Sequence, residues 1–151
     1  METQKPKRAK RDPEGRRRAI IEAAAEELAR LIEQDYDAMF RTIDENGGDA
    51  AAYAKELNAY LADAEQVGID TALYSTAASD PALRELARHS IALAIRRSLP
   101  YVDDPRAKAL AMLMDGAMLE TCLLGKPVDP DAVDLAVRAI FATKPDPGDM
   151  R

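Results

Sequence analysis

Three side chains that could do chemistry, Asp115, Met118 and Cys122, follow one another in a mainly apolar stretch of the sequence. Their spacings of three and four residues place them on one face of a helix. A carboxylate in such surroundings is costly to bury unless a partner or a ligand compensates its charge. We therefore expect Asp115 to line a small-molecule pocket, to pair with an arginine across the core, or to face a wet crevice at an interface.

Neighbouring segments add further polar side chains to the same predicted pocket. His89, the only histidine, lies in a segment expected to face Asp115, and two tyrosines come from the adjoining segments. A lone histidine on a helix is also compatible with a purely structural role, and the methionines of this region fit ordinary core packing equally well. The residues predicted to line the pocket are Tyr60, Tyr74, His89, Asp115, Met118 and Cys122.

The other reactive residues do not form a recognisable catalytic or metal-binding motif. No candidate nucleophile has a histidine nearby, and the sequence has neither a Gly-rich phosphate loop nor paired histidine ligands. A single cysteine cannot form an internal disulfide or a Cys-rich zinc site. We therefore predict a protein that is not an enzyme and that needs no metal or cofactor.

The elements that position these residues are predicted to be helices, because apolar residues recur at spacings of three and four throughout. Asp12-Pro13 is typical of a helix start, and one apolar stripe then continues to Ile43. The first helix should therefore run from 13 to about 45, followed by the Asn46-Gly47-Gly48 turn.

The rest of the chain is divided by Asp-Pro pairs and glycines. We predict a second helix over 49–66, an interruption at Gly68, and a short helix after it. Asp-Pro pairs at 80–81, 104–105 and 129–130 predict three further helix starts. The sequence thus predicts an all-α helical bundle forming one domain over 13–143, with a disordered basic arm at 1–12 and a disordered tail at 144–151.

The segment 106–124 is apolar nearly all round, so it should be buried on both sides. One side can meet the core of its own chain, and the other most simply meets a second copy, with the last helix beside it. A central helix inside a monomeric bundle is the alternative. The predicted dimer-interface residues are Leu110, Leu113, Ala117, Leu124, Val133, Ala136 and Ile140.

Charge is distributed unevenly along the chain. Residues 1–18 hold eight basic and three acidic residues, a net +5, whereas the remainder carries −11. This pattern fits either contact with nucleic acid or a solvated tail. The basic start is not followed by an apolar signal segment, and no apolar run reaches the ~20 residues of a membrane span. We therefore expect a cytoplasmic protein that makes no membrane contact.

Several segments in order resemble the TetR family of bacterial regulators. Residues 11–24 (RDPEGRRRAIIEAA) are similar to the family's first helix. The segments similar to its effector domain are 79–84, 100–107, 113–116 and 124–131. The resemblance implies a helical domain that encloses a small-molecule pocket and dimerises through its last two long helices. It also predicts a small apolar effector.

The family's DNA-reading helix-turn-helix is absent between residue 24 and Tyr36, where roughly thirty residues are missing. The sequence therefore predicts a regulator that pairs with itself or with a full-length TetR-type paralogue, acting as its antagonist or modulator. The alternatives are a repressor that binds DNA through the arm, and a deletion product that only folds. The arm residues available for weak, salt-sensitive phosphate contacts are Lys7, Arg8, Lys10 and Arg11.

Overall fold

The computed structural model describes residues 12–142, which form six α-helices and contain no strand. The all-α prediction is therefore confirmed. The predictions for the arm, including Lys7, Arg8, Lys10 and Arg11, and for the tail at 144–151 lie outside the described residues, apart from Asp12. The helices are α1 (Pro13–Glu45), α2 (Ala50–Ala62), α3 (Ala64–Ala77), α4 (Pro81–Ser98), α5 (Asp104–Leu124) and α6 (Pro130–Ala142).

Aspartate side chains start all six helices by accepting hydrogen bonds from backbone N–H groups of the first turn, which have no partner within the helix. The six capping residues are Asp12, Asp49, Asp63, Asp80, Asp103 and Asp129. At the other end of α5, Gly125 adopts the left-handed conformation with a φ of 67°, which ends the helix.

The predicted interruption at Gly68 was wrong. The break between α2 and α3 lies at Asp63, whose side chain accepts from the N–H of Gln66, and α3 continues through Gly68 without interruption. Gly68 is exposed, so the only cost to the stability of the helix is the modestly lower helix propensity of glycine compared with alanine. A capping aspartate without a following proline is a weaker sequence signal than an Asp-Pro pair, and it was missed for that reason.

Helix α1 was correctly predicted as one long element. Its 33 residues span roughly 50 Å. Residues 13–20 are all exposed, whereas Ile32, Phe40 and Ile43 are buried against the other helices. The first turns of α1 therefore project beyond the bundle, and only the second half of the predicted apolar stripe contributes to the core.

Helix α5 lies at the centre of the bundle and packs against α2, α3, α4 and α6. Its inward residues join the main core, in which Tyr53, Leu57, Leu61 and Val137 are almost fully buried. The Tyr53 and Ser98 hydroxyls are hydrogen-bonded to each other at 3.1 Å within this core, so neither polar group is left unsatisfied. This packing determines which side of α5 faces the core and which side is exposed.

Candidate functional site

A cavity of about 290 Å³ lies between α1, α2, α3, α4 and α5. This volume is just below the ~300–1,000 Å³ typical of small-molecule sites. Buried Met114, Met118 and Ser90 lie on its inner wall, whereas Ala38 and Ala59, on α1 and α2, are exposed. The cavity therefore reaches from the core to the surface.

Tyr60 and Asp70 form one polar side of the cavity. The Tyr60 hydroxyl donates a 2.7 Å hydrogen bond to Asp70 Oδ2, and Gln66 Nε2 donates to Oδ1 at 3.1 Å. Gln66 reaches Asp70 because the two are one turn apart on α3. Burial raises the pKa of Asp70 above its usual value although both hydrogen bonds oppose the shift. Burial, with the neighbouring Asp70 charge, raises the pKa of Tyr60, so its hydroxyl stays a donor.

Asp115 forms the second polar centre, where α5 faces α3 and α4. Burial raises the pKa of Asp115, the Tyr74 hydroxyl opposes that shift by hydrogen bonding, and the Asp70 charge adds to it. The Tyr74 hydroxyl also lies 3.5 Å from Ser90 Oγ, and burial raises the pKa of Tyr74 to about 12. Burial also raises the pKa of Tyr36, which interacts with Ser90. Tyrosine and serine hydroxyls thus surround a partly buried carboxylate.

The cavity brings together four of the six residues predicted for the pocket: Tyr60, Tyr74, Asp115 and Met118. It also includes Tyr36, Asp70 and Ser90, which sequence reasoning did not select. Tyr36 was recognised only as part of the α1 stripe, and Asp70 lies on a segment whose helix was predicted to begin too late.

The structure places His89 and Cys122 away from the cavity, so their predicted pocket positions were wrong. His89 Nε2 lies 3.0 Å from Glu33 Oε1 on the outside of the α1–α4 contact. Cys122 is an exposed free thiol near the end of α5. It shares a helix face with Asp115 and Met118, but it lies about one to two turns farther along, beyond the core.

The second notable surface is the outer side of α5 and α6. Met112, Leu119 and Leu123 are 75%, 48% and 78% exposed, and Leu135 on α6 is 71% exposed. Gly116 completes an outward row on α5 with spacings of four, three and four residues. Rows of this kind form the contact seam between packed helices. We call Met112, Gly116, Leu119, Leu123 and Leu135 the outer face.

Several predicted interface residues lie elsewhere, and the sequence prediction is corrected for them. Leu110 is 0% exposed, and Ala117 and Val133 are also buried within the chain's own core, so they cannot contact a second copy in this conformation. Leu113, Ala136 and Ile140 are partly buried, and Leu124 is exposed at the end of α5. Leu113 and Ile140 pack against the main core. Of the seven residues predicted for the interface, only Leu124 is exposed.

Comparison with known proteins assigns no family to the chain. It matches no model of a known protein family, and no curated protein is significantly similar to it. Within residues 12–142, no helix is long and apolar enough to cross a membrane. In the same range, no three side chains of His, Cys, Asp or Glu are grouped so that they could hold a metal ion.

Proposed function

We propose that this protein is a dimerising, ligand-binding regulator of TetR type without a DNA-reading domain of its own. It pairs through α5 and α6 with a second copy or with a full-length TetR-type paralogue, and its cavity receives a small effector. A pair with a paralogue would contain a single DNA-reading head, which makes the protein an antagonist of that paralogue. The proposal rests on the outer face together with the resemblance described from the sequence.

The outer face is the observation that carries this proposal. Large apolar side chains scattered singly over a surface are ordinary, but a row of them along α5, with Leu135 on the neighbouring α6, is not. Helices of 21 and 13 residues lying side by side present roughly 600 Å². A stable interface buries about 800 Å² on each partner. The area of this face, together with the residues around its edge, is close to that value.

A second copy suits this face because a two-fold axis brings the same apolar rows together. Gly116 lies in the middle of the α5 row, where the absence of a side chain lets two helices approach closely. The adjacent α6 supplies Leu135, so that each copy contributes two helices to a four-helix interface. The proposed dimer thereby covers Met112, Leu123 and Leu135, the three most exposed large apolar side chains of α5 and α6.

The continuous course of α1 supports the part of the proposal that concerns DNA. Reading bases requires a helix whose N-terminal side chains enter the major groove. Between Ala24 and Tyr36, where TetR-like proteins would have their reading helix, α1 continues unbroken. We therefore propose that this chain acts on transcription through its partner.

Co-expression of two differently tagged full-length copies tests the pairing. Capture of one tag should recover the other copy in near-equal amount. The variant Leu119→Asp in both copies should abolish recovery, because it places a charge in a dry contact. Recovery that is absent with wild-type chains, or unchanged by this variant, would exclude pairing through the outer face.

A second candidate function is a repressor that contacts DNA directly, and one observation favours it. Arg16, Arg17 and Arg18 are all exposed on the projecting first turns of α1. A fluorescence anisotropy titration with a genomic fragment and a scrambled control separates the two candidates. The proposed regulator should bind both fragments equally and only at low salt. Tight binding of the genomic fragment alone at ~150 mM salt would favour the repressor.

A further inference from the structure

The walls of the cavity are acidic. Of its lining residues within the described part of the chain, Asp35, Glu56, Asp70 and Asp115 are acidic, and none is Lys, Arg or His. A cleft whose walls carry one sign of charge attracts ligands of the opposite sign. An anionic ligand would meet repulsion from several carboxylates and would have no basic side chain there to pair with.

Asp70 and Asp115 are both partly buried and line the same cavity, and the Asp70 charge contributes to the raised pKa of Asp115. Asp70 has two neutral donors, Tyr60 and Gln66, and Asp115 interacts with the Tyr74 hydroxyl. Neutral donors compensate a buried charge only partly. A cation placed between the two carboxylates would reduce the repulsion between them. It would also compensate the negative charge that is costly to bury.

The remainder of the cavity wall suits an organic group. The rings of Tyr36, Tyr60 and Tyr74 line the cavity, and aromatic rings attract ammonium groups through their faces. Met114 and Met118 add flexible, polarisable surface on the inner side. A hydrated metal ion prefers a shell of oxygen ligands, so this mixture of rings and thioethers fits an organic cation better.

We propose that the cavity binds a small organic cation, with an ammonium-like group held by Asp70 and Asp115 and an apolar body against the tyrosines. This inference deepens the proposed function, because it names the class of effector that the same cavity receives. It differs from the expectation of a small apolar effector by adding a charge to it. Asp35 is exposed at the cavity wall, so it adds a further carboxylate where the cavity meets the surface.

Isothermal titration calorimetry with three probes of similar shape tests this proposal on the full-length chain. The probes are phenethylamine, which is cationic at neutral pH, neutral 2-phenylethanol, and anionic 3-phenylpropionate. We expect the amine to bind at least about tenfold more tightly than the alcohol, and the acid not to bind. In Asp115→Asn, which keeps the shape but removes the charge, the preference for the amine should fall below about threefold.

Glu120→Gln is the matched control, because Glu120 is an exposed carboxylate on the same helix outside the cavity. It should leave the preference unchanged. Equal binding of the amine and the alcohol would overturn the cation proposal while leaving a ligand-binding cavity. Failure of all three probes to bind at millimolar concentration would overturn the ligand-binding part of the proposed function as well. Pairing through the outer face is measured separately and does not depend on either result.

Discussion

The Tyr60 hydroxyl of α2 donates its hydrogen to the Asp70 carboxylate of α3 across 2.7 Å, next to the cavity. This contact exists because the chain breaks at Asp63, which lets the last turn of α2 and the second turn of α3 lie against each other. A single helix through this region would place Tyr60 and Asp70 ten residues apart along one axis, roughly 15 Å from each other. The break at Asp63 therefore builds one side of the candidate site.

Removing the Tyr60 hydroxyl should destabilise the fold. In Tyr60→Phe, Asp70 keeps Gln66 as a donor but loses its shorter hydrogen bond, so we expect the free energy of unfolding to fall by about 1–2 kcal/mol. Urea denaturation followed by circular dichroism measures this change. Tyr101→Phe is the control, since it removes a similar bond to Asp44 at an exposed site and should have a smaller effect. Equal losses in the two variants would argue against a special role for the Tyr60–Asp70 pair.

Replacing Asp115 with Asn should stabilise the protein near neutral pH. Because burial raises the pKa of Asp115 above its ordinary value of 3.8, the folded state holds this proton more tightly than the unfolded state. The stabilisation that comes from this proton is fully present at pH values below the ordinary pKa. It is lost as the pH rises through the raised pKa of the folded state. Asp115→Asn should therefore have a higher Tm than the wild type at about pH 7, with a difference that narrows toward about pH 4. A difference that widens on acidification would contradict the assigned direction.

The revised orientation of α5 predicts that Leu110 contributes to stability and not to pairing. Leu110→Ala should lower the free energy of unfolding by about 2–5 kcal/mol, because it opens a cavity in the core. The folded fraction of this variant should still pair, as measured by size-exclusion chromatography at low temperature. A Leu110→Ala protein that is stable but monomeric would instead indicate that Leu110 contributes to the dimer interface.

An aspartate on the outer face should separate the two copies without unfolding either of them. Leu123 is 78% exposed, so Leu123→Asp introduces no charge into the core of the chain itself. We expect a dissociation constant raised at least about tenfold, measured by analytical ultracentrifugation. Ile20→Asp is the matched control, since Ile20 is a 62% exposed residue on the projecting part of α1 and should leave pairing unchanged. The same weakening in both variants would indicate a general effect of charge.

Local signals made most of the helices predictable from the sequence. The Asp-Pro pairs mark helix starts because the aspartate caps the first turn and the proline needs no hydrogen-bond partner there. At the 104–105 pair the cap is the preceding Asp103, so the predicted start was displaced by one residue. Asp63 has no such proline, and an exposed Gly68 was taken for a stronger break than it is. The position of the α2–α3 junction, and with it the role of Asp70, was therefore missed.

The orientation of α5 could not be predicted for a different reason. Because this helix is apolar on nearly all sides, no stripe distinguishes inward Leu110 from outward Met112. Spacing did place Asp115, Met118 and Cys122 on one face, but only packing decides how far along that face a cavity extends. Cys122 lies past the end of the cavity for this reason.

The central claim, that the outer face pairs two copies of this chain, is tested most directly by the mass of the wild-type protein in solution. Size exclusion coupled to multi-angle light scattering should give about twice the 16.5 kDa chain mass at micromolar concentration. Dilution toward the dissociation constant should shift this mass toward that of a single chain. A mass of one chain at every concentration up to the millimolar range would contradict the account.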